Sequence, residues 1–101
     1  MTTKERLAQL PDVPTIAESG FPGFELNEWN GLYAPSGTPA AVLERIREAS
    51  VAALAQASVQ ARLANLGALA VGSSRGEFVV FLSHLRETMK ALVAEANITL
   101  E

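Results

Sequence analysis

The chain has 101 residues, 49% of them hydrophobic, a net charge of −3 and no cysteine. That is room for one small domain or part of one, and it excludes disulfides, a cysteine nucleophile and thiolate metal sites. Charges are interspersed with no basic run, which argues against nucleic acid, and no stretch of 18 apolar residues is available to cross a membrane.

Residues 1–10 have the propensity for one helical turn, which Pro11 stops because a residue before proline avoids the helical region. No apolar export segment follows Met1. Asp12-Val13-Pro14-Thr15 reads as a helix start, with Asp12 as cap and Pro14 in the first turn. This gives a short helix over 13–19, ended by Gly20 and followed by a turn at Phe21-Pro22-Gly23. Phe24 to Ala34 holds the strand-forming residues, and a strand is expected over 29–34. Asn27, Asn30 and Gly31 interrupt its alternation, and Pro35-Ser36-Gly37 ends it.

Thr38 as N-cap and Pro39 at the first helical position open a helix to about Gln56. Leu43, Ile46, Ser50, Ala53, Leu54 and Ala57 make its apolar face. On the polar side Glu44 repels Glu48 and attracts Arg47, each by only ~0.2–0.5 kcal/mol. Ser58 restarts a shorter helix over 59–66, closed by Gly67, with Val59, Leu63 and Leu66 apolar. Ala68-Leu69-Ala70-Val71 is consistent with a second short strand.

Ser74-Arg75-Gly76-Glu77 is a capping box. Behind it, Phe78, Phe81, Leu82, Leu85, Met89, Leu92, Val93 and Ala96 keep helical spacing over 75–96. About 22 residues make a rod of roughly 33 Å. Burying that stripe would contribute on the order of 10–20 kcal/mol gross. Its polar face mixes Arg75, Glu77, Arg86, Glu87, Lys90 and Glu95, which argues against a membrane-surface helix.

Chemistry is sparse. His84 is the single histidine, so no Ser-His-Asp set can be assembled. Neither a metal-binding motif nor a phosphate-binding glycine loop occurs. The residues thus point to no enzyme, no metal and no cofactor. Trp29 and Tyr33 have two readings: core aromatics on a strand, or side chains at a cleft edge touching a ligand. Glu18 also has two: a solvated residue late in a short helix, or a group fixing a chain crossing.

Several segments together resemble the Bug family, the extracytoplasmic solute receptors of tripartite tricarboxylate transporters. They are Leu10 to Glu25 (LPDVPTIAESGFPGFE), the aromatic–glycine stretch Trp29 to Tyr33, and the Ala34 to Pro39 turn. Leu63 with Gly67, and Ser74, Glu77, Phe78 and Phe81, extend the likeness over residues 10–98. The first segment is the most specific.

The resemblance implies an α/β, helix-rich fragment of one lobe of a type II periplasmic-binding-protein fold. Three main helices, a short helix and one or two short strands would make a single partial domain over 1–101. It further implies binding of small carboxylates for uptake, delivery to membrane permease subunits, and a periplasmic location. Trp29 and Tyr33 are the expected ligand contacts. Compared with the family, the first lobe's opening units and the second lobe are missing. The expectation is therefore a C-terminal piece without full ligand binding, which forms homo-oligomers through its apolar faces. A small helical oligomerisation module with no ligand is the alternative. Leu100-Glu101 reads as a cloning scar.

Overall fold

A computed structural model describes residues 1–99 of the chain; Leu100 and Glu101, read above as a cloning scar, lie outside the described residues. The chain divides into two compact units, Met1–Ala70 and a second starting at Val71. Three helices form: α1 (Ala40–Leu54), α2 (Ala57–Asn65) and α3 (Arg75–Glu95).

The first 39 residues of unit one are turns and extended chain. The short helix expected over 13–19 is a single turn, and its cap is Thr15 instead of Asp12. Thr15 Oγ1 accepts the Glu18 N–H at 3.1 Å, and a Glu18 carboxylate oxygen accepts the Thr15 N–H at 2.8 Å. This reciprocal pair is a capping box. Gly20, at φ +109°, closes the turn five residues later, so cap and stop leave no space for a helix.

The strands expected at 29–34 and 68–71 do not form among the described residues. A strand exists only as part of a ladder. The Leu26 N–H donates to the Thr2 carbonyl at 2.9 Å, yet this bond is not continued into a ladder beyond Leu26. Residues 27–35 form no strand.

At the start of α1 the expected roles shift by one residue. Thr38 is not the cap: its hydroxyl donates to the Pro35 carbonyl at 2.7 Å, inside a turn held by Gly37 at φ +86°. Pro39 occupies the N-cap position, and Ala40 is the first helical residue. The Glu44–Arg47 attraction is realised at 2.7 Å. α1 stops at Leu54, and Gln56 in an extended conformation starts α2, ahead of the expected Ser58. α1 and α2 pack on each other. Gly67, at φ +69°, ends α2 as expected. Its N–H bonds to Ala64 C=O and that of Ala68 to Leu63 C=O, both at 2.9 Å, which is the Schellman closure.

In unit two the Ser74 capping box forms as read from the sequence. The Ser74 N–H donates to Glu77 Oε2 at 2.8 Å, and the Glu77 N–H donates to Ser74 Oγ at 3.2 Å. α3 ends in the same closure as α2, with Asn97 at φ +49° in place of glycine.

The apolar faces are only partly covered. Leu43 and Leu54 of α1, Val59 and Leu63 of α2, and Phe78, Leu82, Leu85 and Met89 of α3 are half-buried. Ile46, Phe81, Leu92 and Val93 are exposed. No apolar side chain is fully buried among the described residues, so the stripe of α3 does not realise the stabilisation that full burial would bring. Thr15, at 1% exposure, is the buried polar residue.

Candidate functional site

Trp29 and Tyr33 lie on the irregular stretch between the Gly23 turn and the Pro35 turn. Trp29 is 37% exposed and Tyr33 68%. Glu25 accepts a hydrogen bond from Asn27 Nδ2 at 2.8 Å on the approach to them. The exposed apolar side chains Phe24, Leu26 and Leu32 belong to the same stretch.

The N-terminus is tied to the turn that precedes this stretch. The Met1 ammonium donates to Pro14 C=O at 2.8 Å, and Met1 C=O accepts the Ile16 N–H at 2.9 Å. Arg6 Nε donates to both Glu18 carboxylate oxygens, at 2.9 and 3.1 Å, and Nη1 donates to Pro11 C=O at 2.9 Å. The Arg6 guanidinium, and then the Thr15 N–H, hold the Glu18 carboxyl below its ordinary pKa. Glu18 stays exposed as expected, and its carboxylate also forms a polar hub.

A hollow of about 300 Å³ lies between residues 3–9 and 60–70. Leu7, Ala64, Ala68 and Leu69 line it with Thr3, Glu5 and Gln60. Gln9 Nε2 donates to Ala64 C=O across one edge. Trp29 and Tyr33 are not among its lining residues, so it and the expected ligand segment are separate places in unit one.

His84 is exposed on α3. No cluster of metal-ligating side chains occurs, and no helix is long and apolar enough to cross a membrane, among the described residues. Arg6 and Thr15 were not found by sequence reasoning. For Thr15 the signal was present: Thr15-x-x-Glu18 has the same pattern as Ser74-x-x-Glu77. For Arg6 there was none, since its partner lies 12 residues away.

The chain matches the description "Tripartite tricarboxylate transporter family receptor" over residues 1–98. It is 46% identical over 71 residues to the UPF0065 protein in the TAR-I ttuE-ttuC' intergenic region of Agrobacterium vitis, covering 70% of this chain and 20% of that protein. It is 38% identical over 96 residues to the UPF0065 protein in the tcbD-tcbE intergenic region of Pseudomonas sp. (strain P51), covering 94% of this chain and 29% of that one. Among solved structures, the periplasmic binding protein BugD superposes with a TM-score of 0.85 at 30% identity. That superposition covers 99% of this chain and 34% of BugD. The chain thus spans less than a third of the length of these two curated relatives.

The fold is that of part of a periplasmic binding protein. The chain belongs to the tripartite tricarboxylate transporter receptor family.

Proposed function

We propose that this chain is the C-terminal segment of a periplasmic receptor that captures small carboxylates and presents them to membrane permease subunits. The superposition on BugD over 99% of the chain carries this reading. Trp29 and Tyr33, exposed between two turns, supply aromatic surface to a ligand cleft of a type II binding-protein fold. The carboxylate itself needs no charged signature, because backbone N–H groups can hold an anion. Binding is complete only when the other two-thirds of such a receptor is present.

A chimera tests this. Residues 1–99 replace the equivalent third of BugD, and a panel of di- and tricarboxylates, acidic amino acids and aromatic acids is titrated by calorimetry. Saturable binding of a carboxylate, weakened about tenfold or more in Trp29→Ala, is the expected result. A folded chimera indifferent to the whole panel would overturn the reading.

The open apolar faces favour a second reading, in which the chain is a small helical module that forms homo-oligomers and takes no ligand.

A further inference from the structure

The sequence holds four asparagines, at positions 27, 30, 65 and 97. Asparagine is a thermolabile residue, because the backbone nitrogen that follows it can attack its side-chain amide carbon. Three of the four are restrained. Asn27 Nδ2 donates to Glu25 Oε1 at 2.8 Å. Asn65 ends α2, and the next N–H, that of Leu66, donates to the Arg62 and Leu63 carbonyls. Asn97 precedes β-branched Ile98, whose N–H donates to Val93 C=O at 3.1 Å.

Asn30 differs on each count. Its neighbour is Gly31, which has no Cβ to crowd the approach and has the most permissive backbone of any residue. Both residues are exposed, on the irregular stretch between the Gly23 and Pro35 turns. Among the described residues no hydrogen bond engages the Asn30 amide or the Gly31 N–H. Nucleophile and electrophile are adjacent, exposed and untied.

We propose that Asn30-Gly31 is a self-modification site, at which the chain deamidates through a cyclic imide. The Gly31 N–H gives its proton to hydroxide, and the nitrogen forms a bond to Asn30 Cγ. The Cγ–Nδ2 bond breaks, and the amide nitrogen leaves as ammonia after taking a proton from water, which regenerates hydroxide. Water then opens the imide. Cleavage between Cγ and the Gly31 nitrogen leaves aspartate. Cleavage between the Asn30 carbonyl carbon and that nitrogen leaves isoaspartate, with the main chain rerouted through Cβ.

Either product places a new carboxylate between Trp29 and Tyr33, and isoaspartate also lengthens the backbone there. The consequence for binding rests on the receptor reading given above: the added charge repels an incoming carboxylate, so the segment loses affinity as it ages. The chemistry does not rest on that reading.

The 101-residue chain is held in mildly alkaline buffer and its peptides are followed by mass spectrometry, with aspartate and isoaspartate resolved by chromatography. The Asn30 peptide should gain the mass of deamidation about tenfold faster than the peptides of Asn27, Asn65 and Asn97, and Gly31→Ala should slow it about tenfold. Isoaspartate should appear beside aspartate. In denaturant the Asn30 rate should change by no more than about twofold, because the fold gives this site no protection to lose.

Asn30 reacting no faster than Asn97 would overturn the proposal. So would aspartate as the sole product, which marks direct hydrolysis of the side-chain amide, or a rate that rises many-fold in denaturant. Should Gly31→Ala lose its helical signal by circular dichroism, the products and the denaturant comparison decide. In the BugD chimera, complete conversion should weaken carboxylate affinity about tenfold. A converted chimera that binds as tightly as a fresh one overturns the consequence for binding. A fresh chimera that binds no carboxylate overturns the receptor reading and leaves the chemistry at Asn30 standing.

Discussion

At the scale of single residues, Glu18 carries the clearest electrostatic consequence. Its carboxyl is held below the ordinary value of 4.5 by the Arg6 hydrogen bonds first and by the Thr15 N–H second. A depressed carboxyl stabilises the folded arrangement at a pH above its unfolded value. That contribution is therefore intact above about pH 4.5 and is lost as pH falls through the lower, folded value. Carboxyl NMR titration should place the Glu18 midpoint below 4.5 in the parent chain and closer to 4.5 in Arg6→Met. Glu44 is lowered in the same direction by Arg47, and it should be indifferent to Arg6→Met. A Glu18 midpoint unaffected by that substitution would remove Arg6 as the cause.

At the scale of elements, α3 shows what local chemistry can specify. Its cap, its period and its length are all encoded within a few residues of where they act. The sequence therefore marks its start at Arg75 and its end within a residue of Glu95. Ser74→Ala removes one half of the capping box and should cost α3 about 1 kcal/mol. A lowered thermal midpoint by circular dichroism at 222 nm is the measurement, and Ser74→Asp should restore it. The strand expected at 29–34 was illegible for the opposite reason. Trp29, Leu32 and Tyr33 are strand-forming residues, but a strand is made by its partner, and no local pattern supplies one. The candidate site divides the same way. Trp29 and Tyr33 could be read from the sequence only as aromatics with two roles open, core or cleft edge. The Arg6–Glu18 clasp closes over 12 residues and leaves no periodic trace. The Thr15 cap was written in the chain and was masked by the nearer, equally suitable Asp12.

At the scale of the whole molecule, the governing fact is that no apolar side chain is fully buried among the described residues. Phe81, Leu92 and Val93 of α3 and Ile46 of α1 remain in contact with water. Exposed apolar stripes of this kind mark surfaces that find partners. Light scattering at micromolar concentration should show a dimer or higher species, and Leu92→Glu should shift it toward monomer. A monodisperse parent monomer would count against association. One further consequence lies in the capping box of α3. Directly behind it run Phe78-Val79-Val80-Phe81-Leu82, five uncharged residues of high strand propensity without proline. Val79 and Val80 face solvent at 56% and 69% exposure. Such a window is a template for cross-β stacking once its backbone is released. Ser74 and Glu77 satisfy the orphan N–H groups at the point where unwinding would begin. They therefore act as gatekeepers as much as caps, holding in helical form a segment whose composition favours strand pairing.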